Sequence, residues 1–338
     1  MSWYTVPGVD QDTVLHTQIQ IFRNIHNTPF PAHLDADAAS EMINEIGGVL
    51  GGNGFHKVDF SEISHAGAYA YAEKQYISPT FVRQSTVHAL YLNEPCNLSV
   101  ALCDTHHICI RALMPGLSLK DTFNSAYKIE GLLDTHFDFA FDERLGYLTQ
   151  QPTLNGSGMS LSVMVFLPAL SLSDRIPSLT GRLHEAGCLL QPVEERDGQA
   201  AGFLYRIHVI APPDGDEQAV CSFAEHVIRQ IVTEERARRK AFSEEQACML
   251  MDQALRAEGI LKHAYLLPVR EFVELSSYLR LGIALGWTRD IRIEALNTLL
   301  VEVMPATLTS AADRPPKNQT EQDKLRATVV RERLAAAG

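Results

Sequence analysis

Within "ALCDTHHICIRAL" (Ala101 to Leu113), Cys103, Asp104, His106, His107 and Cys109 bring thiols, a carboxylate and two imidazoles together. These side-chain types bind zinc or move protons near neutral pH. The spacing fits no standard ligand pattern. Neither the other cysteines (Cys96, Cys188, Cys221, Cys248) nor the rest of the 13 histidines add a CxxC or a second cluster, so no metal site is expected. A polar hairpin turn is the plainer assignment, with its histidines exposed and Cys109 a small core hydrophobe. A second stretch, "DERLGYLTQQPTLNGSG" (Asp142 to Gly158), is the kind of polar loop that delivers side chains to a pocket. It holds no nucleophile, and Arg144 is its only cation. Asp142 and Glu143 read as exposed turn carboxylates, and Thr149, Thr153, Asn155 and Gly158 as turn formers.

The whole chain limits what such residues serve. Its 338 residues are 46% hydrophobic and 21% charged, enough for a substantial core. Net charge is −12, from 41 acidic against 29 basic residues, which repels phosphate backbones and argues against a nucleic-acid partner. The basic cluster "EERARRK" (Glu234 to Lys240) is mixed in sign at helical spacing, a solvated helix face. "MSWYTVPGVD" has no charged-then-apolar signal, and no run of about 18 apolar residues suggests a membrane span. The expectation is a soluble cytoplasmic protein with free cysteines.

Several elements must position these residues. "LSVAL" and "HICIRAL" alternate with period two around "CDTH", predicting a hairpin. "PGLSLKDTF" predicts a helix start, with Ser118 three residues before Asp121 as in a capping box. "SLSVMVFL", "GCLLQPV" and "GFLYRIHVI" predict strands, and "SDRIPSLTGRLHEAG" a helix ended by Gly187. A Gly-rich turn is expected at Gly47 to Gly54. After the breaker "APPDGDEQ", Phe223, Val227, Ile228 and Ile231 recur at helical spacing, and the remainder reads as helical. "TSAADRPPKNQTEQ" reads as a loop before a last helix, "DKLRATVVRERLAAAG". The fold class predicted is α+β: a domain over residues 1–240, then a helical domain over 241–338.

Taken in order, "FRNIHNTPFP", "EKQYISP", "ALMPGLSL", "FAFDERLGYLTQQPTLNGSG", "SLSVMVFLPAL", "YLRLGIALG" and "RP…VVRERL" resemble the bacterial protein-arginine kinases. Those enzymes are relatives of the creatine and arginine phosphagen kinases. The resemblance implies an antiparallel sheet flanked by helices, and phosphoryl transfer from Mg-ATP to a guanidinium nitrogen. In that family, arginine forks clamp the triphosphate and carboxylates grip the substrate guanidinium. This chain departs at those positions. The family's paired arginines stand here as Gln18 and Gln20, in "HTQIQIFRN". Its "NEEDHxR" turn stands as "CDTHHIC", which puts Asp104 and Thr105 at the acidic positions and Cys109 at the arginine. Ser160 and Gln191 stand where two further arginines belong.

All five clamp positions are neutral and one carboxylate is a hydroxyl, so the resemblance implies a pseudokinase: a binding or regulatory subunit that uses no cofactor. The alternatives are an active phosphotransferase with a rebuilt phosphate site, which would use Mg-ATP, and an inert structural dimer. Arg23, Lys74, Arg83, Arg111 and Arg206 are the cations near the matched segments. Arg111 shares the strand-face parity of Cys109 and is the first rebuilt-clamp candidate. The resemblance further implies a C-terminal phosphoarginine pocket at Glu321, Asp323 and Arg326. The partners it implies are a zinc-binding activator protein, a Clp-type AAA+ unfoldase or arginine-phosphorylated proteins. A homodimer is expected through the apolar region around Leu275 to Leu300.

Overall fold

Along "VLHTQIQIFR" the side chains alternate, sending Ile19 and Ile21 to one face and Gln18, Gln20 and Phe22 to the other. In the computed structural model, which describes residues 2–196, 199–209 and 216–337, this run is a central strand. The strands in chain order are Val14–Arg23 (β1), Phe55–Val58 (β2), Ala89–Asn93 (β3), Leu98–Leu102 (β4), Ile108–Pro115 (β5), Phe141–Asp142 (β6), Gly146–Tyr147 (β7), Met159–Phe166 (β8), Cys188–Pro192 (β9), Glu195–Arg196 (β10), Gln199–Ala200 (β11) and Leu204–Val209 (β12). Eight form one antiparallel sheet, ordered β2-β3-β4-β5-β1-β8-β12-β9. The other four make two small hairpins, β6–β7 and β10–β11. The predicted hairpin is β4–β5, and the three other predicted strands are β8, β9 and β12.

One face of the sheet is covered by helices Ala36–Gly51 (α1), Leu119–Asp134 (α4), Ile176–Glu185 (α6) and Glu217–Lys240 (α7). His65–Glu73 (α2), Pro79–Val82 (α3) and Pro168–Leu172 (α5) lie between them in sequence. In α4, Leu119, Phe123, Ala126, Ile129 and Leu133 recur at helical spacing and are buried, each large one contributing about 1.5–3 kcal/mol. Ser118 does precede this helix, but its hydroxyl donates to the Asp121 carboxylate at 3.2 Å instead of capping a backbone N–H.

The expected Gly47–Gly54 turn is mostly helix. The helix α1 runs through Gly47, Gly48 and Gly51, and only Gly52 to Gly54 turn. A Cβ on Gly47 would stand 2.0 Å from the Tyr91 hydroxyl, so glycine lets α1 lie directly on β3.

The remaining helices are Glu244–His263 (α8), Val269–Ala284 (α9), Ile293–Glu302 (α10), Pro305–Ala311 (α11) and Gln319–Ala337 (α12). The last begins four residues earlier than the sequence pattern suggested. Leu250, Leu281 and Val301 from this set share a core with Leu15, Leu113, Met164 and Phe166, closing part of the other sheet face. Within the expected dimer region, Leu279 and Leu281 of α9 are buried within the chain, while Leu275, Tyr278 and Ile283 are half-buried. Periodicity marks an apolar face but not its occupant, and here the chain itself covers part of that face. The first five residues of "APPDGDEQ", 211–215, lie outside the described residues. Among the described residues no helix is long and apolar enough to cross a membrane.

Candidate functional site

The β4–β5 turn is not a solvent-facing loop. His106 and His107 are 2% and 0% exposed. His107 Nδ1 accepts from the Ile25 N–H at 2.9 Å, and its Nε2 lies 2.7 Å from the Pro29 carbonyl. The ring is therefore neutral with its proton on Nε2. His106 Nε2 accepts from the Gln150 N–H at 3.3 Å, and its ring packs on Phe22. The two imidazoles tie the turn to the end of β1 and to the polar loop. Both ring nitrogens of His107 and the Nε2 of His106 find backbone partners far away in sequence, which is what lets these polar rings be buried. No group of three or more His, Cys, Asp or Glu side chains able to hold a metal occurs among the described residues.

Burial, and then the neighbouring His107, holds His106 at a pKa of about 4. Burial lowers His107 and the fully enclosed His16 as well. The unfolded chain protonates His106 from about pH 6.5 downwards, while the folded chain holds it neutral until about pH 4. Stability is therefore fully present above pH 6.5 and lost as pH falls, by roughly 3 kcal/mol from His106 alone. Urea midpoints should drop between pH 6.5 and 4. His106→Gln, which keeps an acceptor for Gln150, should flatten that slope, and an unchanged slope would contradict this account.

The polar loop is tied to its surroundings by its own turn chemistry. Asn155 Oδ1 accepts from both the N–H and the hydroxyl of Thr149, and Asp142 Oδ1 accepts from the N–H groups of Arg144 and Leu145. At Gly158, φ is +58° and a Cβ would stand 2.6 Å from the Arg23 guanidinium, so glycine is required. Thr153 is exposed, as are Asp142 and Glu143.

The five neutral positions lie on β5, β1 and β8, which are adjacent, and on β9, which β12 separates from β8. Gln20 stands between Arg111 on β5 and Ser160 on β8, paired with both. Gln18 pairs with Ser162 and accepts from its hydroxyl at 3.2 Å. Cys109 is buried opposite Phe22, and burial pushes its thiol up to about 11. Gln191 is exposed on the edge strand β9, opposite Arg206 on β12.

Asp104 and Thr105 are half-buried in the β4–β5 turn. Burial raises the Asp104 carboxyl above its ordinary value, against the pull of Arg111.

The candidate cations separate sharply. Arg23 is sealed: its Nε donates to Glu130 at 2.9 Å, its Nη1 to the Ser157 carbonyl at 3.0 Å, and its guanidinium lies over the Tyr147 ring. Arg83 is exposed, and Lys74 lies over Tyr71. Arg111 and Arg206 face the glutamines. With the Gln20 amide oxygen turned towards it, Arg111 donates to Gln20 Oε1 from Nη2 at 3.0 Å and from Nε at 2.9 Å. Arg206 Nη1 reaches Gln18 Oε1 at 3.4 Å, and its Nη2 donates to Gln75 Oε1 at 2.9 Å. Sequence parity singled out Arg111. Arg206 stood unranked, because the pairing of β12 with β8 and of β8 with β1 is needed to bring it beside Gln18.

In the C-terminal set, Arg326 is fully buried. It donates to the carbonyls of Val303 and Leu267 and to Asp323, while Glu321 is exposed. Asp323 also accepts from Gln319. Its carboxylate and the Arg326 fork are thus committed within the fold, and Glu321 alone of the three faces solvent.

Comparison with known proteins matches residues 38–238 to the ATP:guanido phosphotransferase C-terminal catalytic domain. Residues 247–338 match the protein-arginine kinase McsB C-terminal domain. The protein-arginine kinase of Clostridium acetobutylicum is 31% identical over 98% of this chain and 99% of its own length. The chain belongs to the protein-arginine kinase family. The Geobacillus thermodenitrificans protein-arginine kinase is 30% identical over 98% of this chain and 93% of its own.

Among solved structures, the duplicated taurocyamine kinase from Schistosoma mansoni with bound transition state analogue components aligns with a TM-score of 0.62. Its identity is 16%, over 81% of this chain and 42% of that one. Lombricine kinase aligns at 0.59 and 15% identity, over 71% of this chain and 70% of its own. At these identities the likeness is one of fold, and it carries the phosphagen-kinase-like sheet.

The donor set does not fit a clamped Mg-triphosphate of the kind the resemblance implies. The five positions the resemblance assigns to arginine are neutral, and Arg111 and Arg206 lie beside Gln20 and Gln18.

Proposed function

We propose that this chain is a protein-arginine kinase homologue that no longer transfers phosphate and acts as a binding or regulatory subunit in protein quality control. The observation that carries this is the neutral set Gln18, Gln20, Cys109, Ser160 and Gln191, together with Thr105 at a carboxylate position. A hydrogen bond to a charged group contributes about 1.5–3 kcal/mol, so five losses remove roughly 8 kcal/mol or more, close to the whole free energy of a micromolar complex. Threonine neither pairs with a guanidinium nor accepts its proton at neutral pH. The expected result is no saturable effect of Mg-ATP at millimolar concentration in calorimetry or thermal shift. No labelled phosphate should pass from ATP to protein arginine. A low-micromolar dissociation constant would overturn the proposal.

An active enzyme with a rebuilt phosphate site is the second reading, favoured by the presence of Arg111 and Arg206 beside Gln20 and Gln18. Transfer of label to arginine by the unaltered protein would decide for it. The partners proposed remain arginine-phosphorylated proteins, a zinc-binding activator and a Clp-type unfoldase. For self-association, the proposed contact remains the region around Leu275 to Leu300, where Leu275, Tyr278 and Ile283 are half-buried.

A further inference from the structure

Among the described residues, three buried arginines meet carboxylates: Arg23 meets Glu130, Arg239 meets Glu235 and Asp12, and Arg326 meets Asp323. Arg280 is an exception, but it is enclosed at 2% exposure and bonded to Asn297. The buried Arg111 and the half-buried Arg206 are exceptions of another kind. Their hydrogen-bond partners are neutral oxygens: Gln20 Oε1 and the Gln75 carbonyl for Arg111, and Gln18 Oε1 and Gln75 Oε1 for Arg206. Burial lowers the pKa of both, and for Arg206 the charge of Arg111 adds to the effect, with no anion set against it. Asp104 is the carboxylate Arg111 feels, but no ion pair joins them. This concentration of positive charge sits inside a chain of net charge −12.

The geometry fixes the forks without neutralising them. Gln75 bridges the two arginines, its carbonyl accepting from Arg111 Nη1 at 3.0 Å and its amide oxygen from Arg206 Nη2. Its φ is +70°, in the left-handed region that a residue with a side chain seldom occupies. The face they border is half open, with Gln20, Ser160 and His208 only partly covered. Two like charges held together by neutral acceptors are unfavourable unless an anion joins them.

We propose that Arg111 and Arg206 form a binding site for a single phosphoryl dianion on this sheet face, with Gln18, Gln20 and Gln75 orienting the two guanidinium groups. Two cations match the charge of one phosphoryl group, close to −2 at neutral pH, and fall short of a triphosphate. The charge lost from β1 at positions 18 and 20 has in effect moved sideways onto β12 and β5. The site stands whether or not phosphate is transferred, so it goes beyond the function proposed above. The phosphoryl group of free phosphate, of a phosphoarginine side chain and of a nucleotide share the required chemistry.

Inorganic phosphate, phosphoarginine and ATP should each be titrated by calorimetry at constant ionic strength, with urea midpoints measured in parallel. The probes are the full chain, Arg111→Gln, Arg206→Gln and the double variant. At least one phosphoryl ligand should bind saturably, and each substitution should weaken it about tenfold or more. Whichever of the three binds tightest identifies the source. Without ligand, the glutamine variants should be as stable as the unaltered protein or more so, because an uncompensated charge has been removed. No saturable binding by any of the three ligands overturns the proposal, as does binding that survives in the double variant. Substitutions that lower the ligand-free midpoint and leave the phosphate response intact would assign the arginines a packing role. Arg111→Lys and Arg206→Lys retain charge but not the fork and serve if a glutamine variant fails to fold. The labelled-ATP assay is separate, so loss of this site and loss of the proposed function are distinguishable.

Discussion

A chain carrying arginine at all five positions 18, 20, 109, 160 and 191 is expected to fold poorly and to place no phosphate on protein arginine. Gln20 accepts two hydrogen bonds from Arg111, and Gln18 accepts from Arg206. An arginine at either position would set guanidinium against guanidinium. Cys109 is 5% exposed, so an arginine there is a buried cation with no carboxylate assigned to it. An uncompensated buried charge costs on the order of 3–5 kcal/mol, a large part of an ordinary folding free energy.

The restoration therefore has a required order. Arg111→Gln and Arg206→Gln must accompany Gln20→Arg and Gln18→Arg, and Thr105→Glu must supply the missing anion before transfer begins. The smallest test is a double-mutant cycle. Gln20→Arg alone should cost about 3 kcal/mol by urea unfolding, and Gln20→Arg with Arg111→Gln should return to within about 1 kcal/mol of the starting protein. Additive effects in that cycle would show that the two positions do not share one charge site. Arginine phosphorylation by the five-arginine chain with Thr105 unchanged would remove the role assigned to position 105.

Arg326→Ala should be the most damaging single change in the C-terminal helices, lowering stability by about 3–5 kcal/mol. The fully buried fork holds three places at once. Its Nε donates to the Val303 carbonyl at 2.9 Å, and its Nη1 donates to the Leu267 carbonyl at 3.0 Å and to Asp323 at 2.7 Å. Truncation leaves two buried carbonyls without their donor and Asp323 with Gln319 alone, and detaches α12 from the segments that begin α9 and end α10. Limited proteolysis should then cut within or just before α12. Glu321→Ala, on the exposed side, should change stability by less than about 0.5 kcal/mol. It is thus the variant that reads phosphoarginine recognition without unfolding the helices. An unchanged urea midpoint for Arg326→Ala would show that the fork is dispensable.

Local periodicity determined a good deal of this protein. Alternation along "LSVAL", "HICIRAL" and "SLSVMVFL" is set by the two-residue repeat of a strand, so β4, β5 and β8 were legible without any partner. The helical spacing of Val227, Ile228 and Ile231 likewise marked α7. The ordered segments that place the chain in its family, and the neutral residues at the five positions where the resemblance implies arginine, are also properties of the sequence alone.

What only the tertiary structure decided are the meetings between residues far apart in the chain. His106 and His107 look like an exposed turn until Gln150, Ile25 and Pro29 arrive to bond their rings. Gly47 looks like a turn former until Tyr91 packs where its side chain would be. Arg23 looks like an available cation until Glu130, more than a hundred residues on, takes its Nε. The apolar α9 looks free along its length until the sheet and the neighbouring helices bury Phe272, Leu279 and Leu281. Arg111 and Arg206 lie 95 positions apart in the sequence. They share one face beside Gln20 and Gln18 only because antiparallel register sets β5 and β8 on either side of β1, with β12 beyond β8. Strand period is a property of a few consecutive residues, whereas register and neighbour order are properties of the whole sheet.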